Sequence, residues 1–238
     1  MARRKRRRSL KLRWERAIWD NGGDLVIGAD EVGVSAIAGP IVACAAAFGP
    51  WHKKIRGIMD SKTLKEKDRR YLARRIMEDA YGIGIGIANV DQINKLNLYH
   101  ASKLALKLAV EALMESLPDH ELVVVFIDHH SIDLPYPIVV MDKADEQVYS
   151  VAAASIVAKV FRDKLMTDLD RRFPEYDFAS NKGYASPKHW SGLREHGSVW
   201  GLHRIACFKR LQGFEIKRAY RRRWKVKWSR SAVEKLLS

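Results

Sequence analysis

The apolar positions along the chain change period several times, and each change predicts an element. Unbroken apolar runs at residues 24–29 (DLVIGA) and 37–48 (IAGPIVACAAAF) predict two strands joined by a turn at Gly33, and the Gly/Ile alternation over 83–88 predicts a third. The glycines at 82, 84 and 86 leave one face of that strand bare, which predicts close approach of a neighbouring element. Helical spacing follows at 64–81 and again at 97–117, where Leu98, Ala101, Ala105, Leu108, Ala112 and Leu113 share a face. LVVVFID (122–128) reads as a central buried strand and IVVM (138–141) as another, while 145–171 predicts one long helix rich in Ala, Val and Ile. Strands that precede and then alternate with helices define an α/β protein, a mixed central sheet flanked by helices. The sheet should open as an antiparallel meander and continue through crossover connections. With no repeat or Gly/Ser linker in view, the expected organisation is a basic arm or helix at 1–21, one body at 22–210 and a basic helical extension at 211–238.

Composition narrows the class. A chain of 238 residues, 47% of them hydrophobic, can fill a core of ordinary size. No run approaches the roughly 20 apolar residues a membrane span requires. The basic N-terminus begins like an export signal, but Lys11, Arg13, Glu15 and Arg16 interrupt any apolar segment after it. Cys44 and Cys207 lack metal-ligand spacing and are too few for a disulfide framework, so a reducing, cytoplasmic setting is expected. The net charge of +15 points to a polyanionic partner, most often nucleic acid. Its basic residues crowd the ends, with Arg3, Arg4, Lys5, Arg6, Arg7 and Arg8 at one and Lys217, Arg218, Arg221, Arg222, Arg223, Lys225 and Lys227 at the other. Tyr220, Trp224 and Trp228, four apart, would form one stripe on a helix, suited to docking on the body.

The candidate chemistry lies in carboxylates at element ends. Asp30 and Glu31 follow the first strand inside the small-residue run GADEVGVSAIAGP, Asp128 ends the fourth, and Asp145 begins the predicted long helix. Gathered at one rim of a sheet, four such groups would raise one another's pKa unless cations neutralised them. Oxygen ligands without His or Cys favour Mg²⁺ or Mn²⁺, and two such ions about 4 Å apart serve phosphodiester hydrolysis. Each residue also has an ordinary reading as a turn or cap, and Asp133, Asp142 and Glu146 compete with Asp145 on proximity.

Ordered motifs make the pattern specific. GADEVG (28–33) with AGP (38–40), DSKTL (60–64), FIDHH (126–130), KADEQVYSVAAASIVAKVFRD (143–163), NKGYASPKH (181–189) and HRIACF (203–208) together resemble the ribonuclease HII family, which cuts RNA in RNA–DNA hybrids and at ribonucleotides within duplex DNA. The resemblance implies a ribonuclease H-like fold and makes Asp30, Glu31, Asp128 and Asp145 the metal-binding catalytic residues. Asp145 takes precedence over Asp142 because KAD matches the family's Lys-Gly-Asp. It further implies two divalent ions, Mg²⁺ or Mn²⁺, and attack of water 5′ of a ribonucleotide to leave a 3′-hydroxyl and a 5′-phosphate. Lys62 would contact phosphate, Tyr184 would stack on the sugar of the next nucleotide, and Lys182 would reach phosphate or stay on the surface. Ser155 and Lys159 read as packing and supporting residues, and His203 and Arg204 as either structural or phosphate-binding.

Where the family has Gly-Arg-Gly, this chain has Gly33-Val34-Ser35, in the loop that the resemblance implies reads the ribose 2′-hydroxyl. The serine adds a Cβ that disfavours positive φ, and the lost arginine removes a cation. Asn181 for the usual His and IACF for the usual Arg-Ser-Phe ending are smaller departures. The expected protein is a monomeric metal-dependent endoribonuclease acting on RNA–DNA hybrids or ribonucleotide-containing duplex DNA, with no membrane association. Two alternatives remain: a nuclease of the same fold acting on structured DNA, or a hybrid-binding protein of weak catalysis. A chain losing catalysis would have little reason to keep four carboxylates, which counts against the second.

Overall fold

The structure is a computed structural model that describes residues 9–118 and 122–204. The basic runs at both ends, Cys207 and the expected C-terminal helical extension with its Tyr220, Trp224 and Trp228 stripe lie outside the described residues. Five strands form one mixed sheet: β1 (Leu25–Val32), β2 (Ile41–Phe48), β3 (Gly82–Ala88), β4 (Val123–Asp128) and β5 (Ile138–Met141), in the order β3-β2-β1-β4-β5. β1 runs parallel to β4, with Gly28 opposite Phe126, and β4 parallel to β5. The three opening strands are spatial neighbours in chain order, as a meander requires. Around the sheet elements run α1 (Arg13–Trp19), α2 (Glu66–Asp79), α3 (Val90–Met114), α4 (Ala144–Gln147), α5 (Tyr149–Asp170), α6 (Phe178–Asn181) and α7 (Pro187–His196). Among the described residues no helix is long and apolar enough to cross a membrane.

Local chemistry explains where these elements depart from the expected bounds. β2 begins at Ile41 because Gly39 takes φ +80° and Ala38 bridges to His203 instead. α3 starts seven residues early. Asn89 and Gln92 cap one another, the Asn89 Oδ1 accepting from the Gln92 N–H and the Gln92 Oε1 from the Asn89 N–H, so a first segment forms. Asn97 then interrupts at φ 72° and caps a second segment by accepting from the His100 N–H.

The single helix expected over 145–171 is two. Lys143 is left-handed and Val148 extended, so α4 is a separate four-residue turn carrying Asp145. α5 restarts at Tyr149, and its early N–H groups find a distant cap: the Glu15 Oε1 accepts from both the N–H and Oγ of Ser150 at 2.8 and 2.9 Å. Glu15 is fully buried, so α1 packs onto the first unit through this residue.

By its contacts the chain divides into two compact units. The first holds residues up to 30, 43–86 and 106–160, thus most of the sheet with α1, α2, α4 and most of α5. One of its clusters packs Val26, Phe126, Ala144, Val148 and Val151, with Trp14, Ile18 and Trp19 against it. The predicted close approach at β3 is present: a Cβ on Gly84 would lie 2.1 Å from the Ala109 carbonyl oxygen of α3. Among the described residues, the second unit holds 31–42, 87–105 and 161–204. Its core joins Ile37 and Ala38 to Leu165, Met166, Phe178, Leu193 and Leu202.

Candidate active site

Parallel pairing of β1 and β4 sets Asp30 and Asp128 at the same end of the sheet in the first unit. Asp30 is 8% exposed. The Asp128 Oδ1 accepts from the Ala144 N–H at 3.1 Å, which ties the end of β4 to the turn bearing Asp145. Asp145 is 4% exposed, whereas its competitors Asp133, Asp142 and Glu146 all face solvent. Asp142 instead contacts the His129 ring at 3.0 Å. Burial of a carboxylate is costly unless something compensates its charge, so Asp145 is the one whose position demands a cation.

Lys62 supplies one. Its Nζ donates to the Asp145 Oδ2 at 3.1 Å. Burial alone would lower the Lys62 pKa, but the Asp145 hydrogen bond and the charges of Asp145, Asp30 and Asp60 outweigh it and raise it above the ordinary lysine value. The DSK turn holds the lysine there. Asp60 Oδ1 accepts from the Lys62 N–H, the Ser61 and Ser155 hydroxyls meet at 3.0 Å, and Arg69 donates to the carbonyls of Ser61 and Leu64. Ser155 is therefore a supporting residue of the Lys62 turn. Lys159 is half-buried on α5.

The donor set suits a hard divalent cation, being carboxylate oxygens around a position that already holds an ammonium. Among the described residues no three Asp, Glu, His or Cys groups already stand at metal-cluster spacing. Glu31, the next residue along β1, belongs to the second unit, where its Oε1 accepts from the buried Ser102 hydroxyl at 2.8 Å. Ser102 was not singled out in the sequence; its sign there is a lone hydroxyl on the apolar face of α3 beside Ala101 and Ala105.

The Gly33-Val34-Ser35 loop lies in the second unit and is built around two arginines with no exposed surface, Arg162 and Arg204. Arg204 donates to the carbonyls of Val34 (2.7 Å), Ala36 (2.8 Å) and Gly39 (2.9 Å). Arg162 donates to those of Pro40 (3.0 Å), Ala38 (3.2 Å) and Lys182 (2.8 Å). With its carbonyls drawn inward, the loop leaves the Val34 and Ser35 N–H groups without a protein acceptor among the described residues. Gly33 takes φ +89°, and a Cβ there would strike the Arg162 guanidinium at 2.1 Å, so this glycine is required. Ser35 is not among the positive-φ residues, so its Cβ adds no backbone strain.

Tyr184 is half-buried, with the Arg162 guanidinium 5.5 Å from its ring centre. A relay of two histidines fixes its backbone. Val199 N–H donates to the His203 Nδ1, so His203 carries its proton on Nε2 and donates to the His189 Nε2 at 3.2 Å. His189 Nδ1 donates in turn to the Tyr184 carbonyl. Burial, then the neighbouring His189, pushes the His203 pKa down to about 3, and burial lowers that of His189. His203 and Arg204, which the sequence left between two roles, are both built into the fold. Lys182 sits at φ 53° with its Nζ donating to the Thr167 hydroxyl and the Ala179 carbonyl, so a phosphate contact would require it to leave both.

An acidic rim on a mixed five-stranded sheet defines a protein of the ribonuclease H-like class. A family model for ribonuclease HII matches residues 27–212, and the chain belongs to that family. Ribonuclease H2 from Pyrococcus horikoshii OT3 is similar in fold, at 23% identity and a TM-score of 0.60 over 90% of this chain and 97% of that one. RNase HII from Archaeoglobus fulgidus, solved as a PCNA:RNase HII complex, is similar at 24% and 0.59 over 86% and 97%. Bst-RNase HIII in complex with Mn²⁺ is similar at 27% and 0.55, over 66% of this chain, which spans 58% of that protein's length.

Proposed function

We propose that the chain is a divalent-metal-dependent endoribonuclease that hydrolyses the RNA strand of RNA–DNA hybrids and also cuts 5′ of a single ribonucleotide in duplex DNA. The observation that carries this reading is the convergence of Asp30 and Asp145 on the Lys62 ammonium, in a chain of the ribonuclease HII family. Asp30, Glu31, Asp128 and Asp145 would hold two Mg²⁺ or Mn²⁺ ions, and the Mn²⁺ of the similar Bst-RNase HIII supports that choice. Such ions, when bound, supply the charge that favours a water nucleophile and a leaving 3′-oxygen. The chain's own residues supply position. Lys62, released from Asp145, would meet a phosphate oxygen, and Ser102 would orient the Glu31 carboxylate by donating to it. The Val34 and Ser35 N–H groups offer donors to a ribose hydroxyl, and Tyr184 offers a ring to the following sugar. Basic residues on the protein as a whole would carry the non-specific share of affinity.

End-labelled duplexes test this: one RNA–DNA hybrid and one DNA duplex with a single ribonucleotide, in Mg²⁺ or Mn²⁺, with Asp145→Asn as control. Cleavage of both, leaving 3′-hydroxyl ends and abolished in the variant, is the expected result. Cleavage of branched all-DNA substrates in preference to either would replace the reading with a structured-DNA nuclease.

A further inference from the structure

The first unit carries a cavity of about 430 Å³ that none of the catalytic carboxylates lines. Its wall is the segment after β2, contributing Trp51, Lys53, Lys54 and Arg56, facing Tyr71 and Arg75 of α2. Trp51 and Tyr71 are each 62% exposed, which is unusual for large rings outside a binding surface. Arg75 is paired with Asp79 at 2.7 Å, but Lys53, Lys54 and Arg56 have no ion-pair partner among the described residues. The local balance is therefore strongly positive.

This wall is held in place from below. The buried Tyr149 hydroxyl accepts from the Ile55 N–H at 2.9 Å and contacts the His52 ring at 3.0 Å, while Ser9 Oγ accepts from the Gly57 N–H. The Trp51 ring meets Tyr81 edge to face at 5.4 Å and packs over Gly49. Burial lowers the His52 pKa, so that ring adds no charge at neutral pH and the lysines and Arg56 carry it. Tyr71 also lines a second cavity with Glu66, Lys67, Arg70 and Arg74, where Glu66 pairs with Arg70 and Lys67 and Arg74 flank Tyr71 along the helix.

We infer that residues 51–56 and the Tyr71 face of α2 form a second nucleic-acid site that takes a single-stranded segment, its base against Trp51 or Tyr71 and its phosphates on Lys53, Lys54 and Arg56. Aromatic platforms interleaved with cations are the physical recipe for single-strand binding. A volume of about 300–1,000 Å³ is that of pockets enclosing a small ligand, which suits one nucleotide and not the broad cylinder of a duplex. Charge complementarity selects the polyanion over an apolar peptide. The site would let the enzyme hold an unpaired flank of its substrate, and it does not depend on what the carboxylates cleave.

The test uses the whole chain in EDTA, so that no turnover occurs, with fluorescein-labelled ten-nucleotide single-stranded DNA and a blunt duplex compared by anisotropy. Trp51→Ala/Tyr71→Ala should weaken single-strand binding about tenfold or more, with blunt-duplex affinity and hybrid cleavage unchanged. Lys53→Gln/Lys54→Gln/Arg56→Gln should lower the slope of log Kd against log salt for the same oligonucleotide by about two to three. Cross-links from 5-iodouracil in the oligonucleotide should map to Trp51 or Tyr71. Equal losses on strand and duplex, no loss, or cross-links elsewhere would overturn the inference. So would tighter capture of a polyglutamate peptide, lost in the same variants, which would make this an acidic-protein site. Hybrid cleavage by the wild type reports separately on the catalytic reading.

Discussion

Replacing Arg162 by methionine tests whether buried guanidinium groups, rather than the loop's own side chains, hold the Gly33-Val34-Ser35 loop. The substitution keeps much of the volume but removes donors to the carbonyls of Ala38, Pro40 and Lys182. A hydrogen bond from a charged donor contributes about 1.5–3 kcal/mol, so three amount to about 5–9 kcal/mol gross. Against this, a buried cation is itself expensive, and burial holds the Arg162 pKa below the ordinary arginine value. Allowing about 2–4 kcal/mol for relief of that desolvation leaves a net loss of about 1–7 kcal/mol, centred on about 4 kcal/mol. That is tolerable in a protein of typical stability, about 5–15 kcal/mol, so the variant should remain folded at 25 °C. Urea unfolding reads the loss as a lower midpoint at unchanged m. In Ca²⁺ without turnover, the affinity ratio for duplexes with and without one ribonucleotide should fall towards one, and Arg162→Lys should recover part of it. A loss below about 1 kcal/mol, within the range of ordinary surface substitutions, with the ratio intact would refute the reasoning.

Other outcomes follow from the same geometry. Asn at Asp30, Asp128 or Asp145 should each lower kcat on a hybrid at least about a hundredfold, the rate equivalent of roughly 3 kcal/mol of lost charge stabilisation, with the fold retained by circular dichroism. Ser102→Ala should lower kcat/KM by about tenfold, since one hydrogen bond to the Glu31 carboxylate is lost and the carboxylate itself remains. His203 titrates near 3 in the fold against about 6.5 when unfolded, so between those values the unfolded chain binds a proton the native protein does not. Stability is then complete above pH 6.5 and falls on acidification by about 1.4 kcal/mol per pH unit, roughly 2 kcal/mol by pH 5, as urea midpoints would show. His189, shifted the same way, steepens the slope. Protonation would convert an accepting nitrogen into a donor, His189 Nε2 facing His203 or His203 Nδ1 facing the Val199 N–H, and break that bond while the His189 Nδ1 bond to the Tyr184 carbonyl persists.

What the sequence disclosed divides along a physical line. Apolar period reports burial, and burial is what a sheet core consists of, so all five strands were legible from Leu25 to Met141. Elements set by polar exchanges with distant residues were not. The break at Val148 depends on Glu15 capping Ser150 from 135 residues away, and no local window contains both. Two helix starts had overlooked local signs, the reciprocal Asn89 and Gln92 pair of α3 and, for α7, Ser186 accepting from the His189 N–H with Pro187 at the first helical position. The segments after residue 171, α6 and α7, lack a long periodic stripe and are ordered by the Tyr176, Phe178, His189 and His203 rings.

The same line runs through the site. Position at element ends made Asp30, Glu31, Asp128 and Asp145 candidates and the family motifs selected them; in the structure Asp145 is buried and Asp142 exposed. The loop was harder, since Gly33-Val34-Ser35 looks like a damaged motif when read as letters. Its conformation is written elsewhere, in Arg162 and Arg204, which reach five of its carbonyls from α5 and from beyond α7. A loop held through its carbonyls is indifferent to most of its own side chains, provided Gly33 keeps φ +89° above the guanidinium. Substitution at Val34 or Ser35 should therefore cost little, whereas Gly33→Ala should cost about 1–2 kcal/mol for the left-handed backbone alone and more for the collision. Comparable losses at all three positions, measured by urea unfolding, would mean that the side chains and not the arginines hold the loop.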